Sequence, residues 1–312
     1  MKSVFTMTTV SLPADRDERL ARARLALDGL STGDAFGECF FGNYTEVMRH
    51  IEQRDVPPSP WEYTDDTAMA LSIYRCLDER GEIDRDWLAE LFATEFAREP
   101  RGYGGTARSI LWAVHCGAAW QNAASEAFSG MGSMGNGGGM RVAPLGAYFA
   151  DDVDELIRQA RYSAEVTHAH PEGQAGAISI ALAAAWAWNH RDAEGKVDPK
   201  ELIEFVVSGT PEGDTHSRLR RALNIPFERE AGIVGQMLGN GILVTAPDTV
   251  PFAVWCAARH CWDFTEALWT TASGFGDVDT TCAMVGGIVA LSAGAKSIPP
   301  DWLQARGNLP VE

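Results

Sequence analysis

Two short segments of this chain place oxygen ligands just where a helix is about to begin. The first is Tyr63-Thr64-Asp65-Asp66-Thr67, directly ahead of the apolar run AMALSIYRCL. Thr and Asp are favoured N-caps, and acids suit the positive end of a helix dipole. A cap accounts for one such residue but not for four in a row, because adjacent carboxylates repel unless a cation neutralises them. Read alone, the segment is either a capping cluster or half of a metal site. The second is Gly274-Phe275-Gly276-Asp277-Val278-Asp279-Thr280-Thr281, also ahead of an apolar, glycine-containing run. Asp-x-Asp lets two carboxylates reach one ion, with a Thr hydroxyl as a further oxygen. Mg²⁺, Mn²⁺ and Ca²⁺ take such ligands. The spacing is not that of an EF-hand. If the two helices pack side by side, four Asp and two Thr surround one or two ions. A pair of ions about 3.5–4 Å apart is a known catalytic arrangement. Gly213-Asp214-Thr215 and Asp248-Thr249 look similar but lack the second carboxylate, and they read as plain caps.

Three further stretches bear on a ligand. Ser133-Met134-Gly135-Asn136-Gly137-Gly138-Gly139-Met140-Arg141 fits neither phosphate-loop nor dinucleotide fingerprints. It is either a flexible loop or a turn whose N–H groups approach an anion. Thr167-His168-Ala169-His170-Pro171 has two His but no third zinc ligand nearby, so pocket lining or helix termination is the better reading. Trp61, Tyr63, Phe275 and the loop Arg101-Gly102-Tyr103-Gly104-Gly105-Thr106 supply aromatic rings for an adenine to stack on, or for ordinary packing.

These residues need elements to hold them. Apolar residues at 20, 23, 27 and 30 predict a helix over 16–30. Others are predicted over 67–80 (following Asp65–Asp66 and stopping at Gly81), 87–99 (capped by Asp86), 106–120, 140–150, 153–166, 172–189, 200–207, 231–238, 248–260, 262–273 and 279–294. VVSG and ILVTAP are too short to argue for a sheet. The Ala- and Gly-rich helices at 172–189 and 279–294 are expected at the centre, since small residues allow close axis approach. No repeat of fixed period and no linker divides the chain, so one all-α domain over 1–312 is expected, with its motifs between about 20 and 295.

Composition narrows the partners. The chain of 312 residues carries 26 basic and 43 acidic residues, a net charge of −17. That disfavours nucleic-acid backbone and anionic membranes as partners. The six cysteines show no metal or disulfide spacing and suit a reducing compartment. No apolar stretch reaches the ~20 residues of a membrane span, and the N-terminus lacks an apolar signal core.

Taken together and in order, Gly33-Asp34-Ala35-x-Gly37, Tyr63-Thr64-Asp65-Asp66-Thr67, Gly135-Asn136-Gly137-x-x-Met140-Arg141-x-x-Pro144, Thr167-His168-x-His170-Pro171 and Gly276-Asp277-x-Asp279-Thr280 resemble the ADP-ribosylglycohydrolase family. The resemblance implies a compact, single-domain, orthogonal helical bundle with a binuclear Mg²⁺ or Mn²⁺ centre in a cleft. It implies cleavage of the α-glycosidic bond joining ADP-ribose to an acceptor, a protein side chain such as arginine or another ADP-ribosylated substrate. Thr64, Asp65, Asp66, Asp277, Asp279 and Thr280 would be the metal ligands. Asp65, Asp66 or Asp279 would act on the attacking water. Ser133, Gly135, Asn136, Gly137, Met140 and His168 would hold the nucleotide, with Tyr103 and Phe275 as aromatic contacts. The family often carries a Glu seven residues after the Asp of its G-D-A motif; here that position is Phe41, and the nearest acids are Glu38 and Glu46. A cytoplasmic monomer is the expected state. The alternatives are a module of the same scaffold that binds ADP-ribose without hydrolysis, a structural protein, or another binuclear hydrolase.

Overall fold

The computed structural model describes residues 15–310. The chain enters with α1 (Arg16–Glu38), α2 (Tyr44–Gln53), α3 (Asp65–Arg80), α4 (Arg85–Arg98), α5 (Gly105–His115) and α6 (Trp120–Gly130). A tight segment follows, made of α7 (Gly137–Met140) and α8 (Ala143–Tyr148), then α9 (Val153–Glu165), α10 (Pro171–Asn189) and α11 (Lys200–Gly209). The remainder is α12 (Asp214–Ala222), α13 (Ala231–Leu238), α14 (Ala246–Arg259), α15 (Phe264–Ala272), α16 (Val278–Ala293) and α17 (Pro300–Arg306). Among the described residues there is no strand, only an isolated bridge between Gly135 and Thr245, so the all-α expectation holds. No helix among them is long and apolar enough to cross a membrane. One continuous core joins the helices from α1 to α17 into a single compact domain.

The axis of the molecule is the pair α1 and α16. Gly29, Gly33 and Gly37 recur every fourth residue and so line one face of α1. A Cβ at Gly33 would sit 2.1 Å from the backbone oxygen of Cys282, and one at Gly37 would sit 2.6 Å from Cα of Asp279. The two backbones touch along this stripe, which explains why α1 continues past the predicted end at residue 30. α10 and α16 are buried along nearly their whole length, as their small residues led one to expect. Under the C-terminal end of α1, Phe36 stacks on Trp302 (4.6 Å) and meets Trp269 and Trp61 edge-on. Trp61 is therefore core and does not face a ligand.

Several local expectations are corrected. The single helix expected over 140–150 is two short ones, α7 and α8, with Pro144 setting the first turn of the second. Asp84, not Asp86, caps α4 by accepting from the Trp87 amide, while Asp86 takes the Trp120 indole N–H. Asp214 does not cap α12. Glu172, at the start of α10, accepts from the Asp214 and Thr215 amides and the Thr215 hydroxyl. Asp248 lies in the first turn of α14 and accepts from the Leu243 amide, tying down the loop before it. Helices α2, α6, α12 and α17 add to the expected set, and α2 turns Val47 and Ile51 inward while α12 turns Leu219 and Ala222 inward.

Candidate metal centre and nucleotide cleft

The N-termini of α3 and α16 meet beside the C-terminal half of α1. Thr64 caps α3, its hydroxyl oxygen facing the Asp66 amide at 3.3 Å. Asp277 occupies the N-cap position of α16 without a side-chain cap bond. Acids from opposite ends of the chain therefore converge, as the likeness of the two segments predicted. One carboxylate oxygen each from Asp34, Asp66 and Asp279 lies within 4.8 Å of the others.

Asp34 was given no role from sequence. Fully buried in α1, it accepts from the amide and hydroxyl of Thr64 and from the amide and hydroxyl of Thr67. It thus satisfies free N–H groups of the first turn of α3 and fixes that helix end against α1. Its sequence signals are its place in the Gly33-Asp34-Ala35-x-Gly37 motif and a polar residue in a stretch that is otherwise buried.

The cluster is electrostatically unbalanced. Burial, and then the neighbouring acids, push Asp65 up to about 7 and Asp279 up to about 9. Burial and Asp34, then Asp279, drive Asp66 well above the carboxylate range. Burial also raises Asp34 against its Thr bonds, and Asp277 against a bond from Asn136. Oδ1 of Asp66 and Oδ1 of Asp279 are buried with no hydrogen-bond partner. Buried carboxylate oxygens without donors are costly unless a cation meets them. The donor set is all oxygen, which suits a hard divalent ion.

The acids open on a cleft of ≈ 630 Å³. Asp65, Asp66, Asp277, Asp279 and Thr280 line it, together with Ser133, Gly135, Asn136, Gly137, Met140 and His168. Asn136 ties the glycine loop to α16 and α14, donating from Nδ2 to Asp277 Oδ2 (2.7 Å) and to the Thr249 hydroxyl (3.1 Å). The glycines pack against the imidazole: a Cβ at Gly135 or Gly137 would sit within 3.2 Å of His168 Nε2. Met131, Phe128, Leu243 and Val244 form an apolar rim. Val244 and Phe128 hold positive φ of 54° and 52°, unusual for non-glycine residues and costly above all at a β-branched one.

Thr64 stands beside Asp66 at the cap of α3, its hydroxyl within hydrogen-bond distance of Asp34 and Asp66. Two expected site residues lie elsewhere. Tyr103 is buried with its ring edge-on to Phe96 (5.1 Å), so it offers no face to a ligand there. Phe275, with φ of 54°, packs against Tyr44 (4.9 Å) outside the cleft lining. His170 lines the cleft and also starts α10, its Nδ1 accepting from the Glu172 amide. Phe41 is 49% exposed at the end of the α1 segment. Of the two nearby acids, Glu38 senses the centre: burial first, then Asp34 and Asp277, raise its carboxyl.

The profile of the ADP-ribosylglycohydrolase family matches residues 15–310. The chain is 30% identical to "ADP-ribosylhydrolase ARH3" of Gallus gallus, with 91% of this chain and 89% of that protein covered. The human protein of the same name is also 30% identical, over 92% of this chain and 89% of its own length. The "ADP-ribosyl-[dinitrogen reductase] glycohydrolase" of Rhodospirillum rubrum is 24% identical, over 90% of this chain and 89% of its own. A solved "ADP-ribosylglycohydrolase-related protein complex" superimposes with a TM-score of 0.64 at 27% identity, covering 93% of each chain. With its two acidic helix ends in register and the family profile running from 15 to 310, the chain belongs to the ADP-ribosylglycohydrolase family.

Proposed function

We propose that this protein is a divalent-metal-dependent hydrolase that cleaves the α-glycosidic bond between ADP-ribose and an acceptor. One observation carries the reading: the unpartnered, buried Oδ1 atoms of Asp66 and Asp279, held beside Asp34 at the wall of a nucleotide-sized cleft. Thr64, Asp65, Asp66, Asp277, Asp279 and Thr280 would hold two cations, Mg²⁺ or Mn²⁺, which when bound neutralise the acids and supply an acidified water. The chain's own residues do the rest. Asn136 fixes Asp277, and Asp34 fixes the helix end that carries Asp65 and Asp66. Breaking the bond develops oxocarbenium character at the anomeric carbon. Asp65, Asp66 and Asp279 are the candidate bases for the water proton, being carboxylates that line the cleft at the metal site. Glu38 is the candidate for the role that an acid at position 41 would otherwise take.

Binding without turnover is a second reading, favoured by the exposed aromatic ring at Phe41. A monomer in a reducing cytoplasm, acting on ADP-ribosylated proteins or small molecules, completes the proposal. Six free thiols, four of them buried, support the compartment. The test is a panel of ADP-ribosylated substrates of defined linkage, including arginine and serine, assayed with Mg²⁺ and with excess chelator. At least one linkage is expected to release ADP-ribose with Mg²⁺, and none with chelator or in Asp279→Ala. Release undiminished by chelator refutes metal dependence. Tight ADP-ribose binding with no release from any linkage puts the binding reading in its place.

A further inference from the structure

His168 meets the cleft through one edge of its ring and meets the core through the other. On the core side, Nδ1 stands 2.7 Å from the Thr167 hydroxyl. That hydroxyl oxygen also lies 2.9 Å from Nη2 of Arg141. Arg141 is fully buried, with Nη2 donating further to the Ser163 carbonyl (2.8 Å) and its guanidinium stacked over the Phe92 ring (4.5 Å). On the cleft side, Nε2 has no hydrogen-bond partner among the described residues. A Cβ on Gly135 or Gly137 would lie 3.1 or 3.2 Å from Nε2, and the one on Gly135 would also lie 3.1 Å from the Ser133 hydroxyl oxygen.

Proton counting decides what this ring carries. A guanidinium has only donors, so at the Arg141 contact Thr167 must accept. The Thr167 hydroxyl then has one hydrogen left to give. Thr167 is 1% exposed, and the only other polar atom bonded to its hydroxyl among the described residues is His168 Nδ1. If Nδ1 carried a proton, Thr167 would receive two donors and its own hydrogen would have no acceptor, a buried unsatisfied group. If the ring were doubly protonated the same conflict would arise, with an added charge close to Arg141. Only Nδ1 as acceptor satisfies every group.

From this count we infer that Thr167, itself oriented by Arg141, is a positioning residue that holds His168 as the neutral imidazole protonated on Nε2, so that the ring presents an N–H donor to an acceptor oxygen of the nucleotide in the cleft. The absence of charge on the ring agrees: burial, and then Arg141, lower its pKa to about 3. The Ser133 hydroxyl lines the same cleft. Its oxygen accepts from the Gly135 amide (3.1 Å), leaving its hydrogen free to join the Nε2–H. Two neutral donors converging on one oxygen bind it without adding charge to the site. The step to the nucleotide rests on the proposed function; the tautomer does not.

The experiment separates the two. Protein labelled with ¹⁵N-histidine is examined without ligand by two-bond ¹H–¹⁵N correlation, with His168→Asn identifying the resonance among the seven histidines. The expected spectrum has His168 Nδ1 unprotonated and Nε2 protonated, unchanged between about pH 5 and 8, where an ordinary His titrates. Thr167→Val should shift the ring toward the Nδ1–H form and weaken ADP-ribose binding about tenfold, the worth of one hydrogen bond to a charged ligand. Thr167→Ser should restore both. A protonated Nδ1 in the native protein, or Thr167→Val keeping the Nε2–H tautomer, overturns the inference. A tautomer lost in Thr167→Val with ADP-ribose affinity intact leaves the positioning role in place and overturns the contact between His168 and the nucleotide. The native spectrum alone decides the tautomer if the valine variant does not fold.

Discussion

The stripe of glycines on α1 can be tested by adding a single methyl group. In Gly33→Ala the new Cβ would lie 2.1 Å from the Cys282 oxygen, 2.7 Å from its carbonyl carbon and 3.3 Å from the Ala283 nitrogen. All three are backbone atoms of α16, so no rotamer change relieves the contact. The helices must separate by about 1 Å to restore ordinary packing. Overpacking of this kind costs about 1–3 kcal/mol, and Tm falls by roughly 2–4 °C for each kcal/mol in a domain of this size. The larger consequence is functional. Asp34 sits next to Gly33, and Asp279 is one turn from Cys282. A separation of about 1 Å therefore pulls the acid cluster apart, and a misplacement of that size can cost about 100-fold in rate. The measurements are calorimetric melting with and without Mg²⁺, and turnover on the best linkage of the substrate panel. The expected result is a modest loss of Tm, a Mg²⁺-induced rise in Tm much smaller than in the native protein, and a loss of turnover beyond what the stability change explains. Native turnover and a native Mg²⁺ response in Gly33→Ala would show that the close approach does not set the metal geometry.

Three other outcomes are expected. In excess chelator, Asp279 and Asp65 have pKa values of about 9 and about 7, above those of the unfolded chain. The unfolded state therefore releases these protons first as pH rises. Their contribution is most favourable below about pH 4 and is lost progressively toward pH 9, so the metal-free Tm should fall across that window. Mg²⁺ should stabilise more at pH 8 than at pH 6, because binding must displace those protons; an equal Mg²⁺ effect at both would refute the unbalanced acid cluster. Glu38→Gln should lower kcat by about 10²-fold with ADP-ribose affinity unchanged, as for loss of a general acid or base, and native kcat would exclude it. Glu172→Ala should cost about 1 kcal/mol as a lost helix cap, read by denaturant melting, since burial raises this carboxyl but the Thr215 and Asp214 bonds outweigh it and hold it charged.

Both acidic segments were legible in the sequence because each is local: caps, dipole and repulsion act within one turn, so Thr64-Asp65-Asp66 and Asp277-x-Asp279 stand out from their own neighbours. The first half of α1 was legible through its apolar period, and α10 and α16 through their runs of small apolar residues. Glu172 as the cap of α12 was not, because donor and acceptor lie 42 and 43 residues apart and nothing in the intervening sequence links them. Tyr103 and Phe275 looked like ligand contacts because an aromatic beside glycines can face either way. Only the positions of Phe96 and Tyr44 settle which.

By itself, the sequence determined an acidic, all-helical chain with two hard-cation half-sites and a glycine loop between them. Tertiary structure decided that the half-sites share one cluster, that Asp34 anchors it, and that His168 turns one nitrogen to the cleft. The physical reason is contact between distant backbones. Gly29, Gly33 and Gly37 carry no side chain, so their meaning exists only once α16 lies against them.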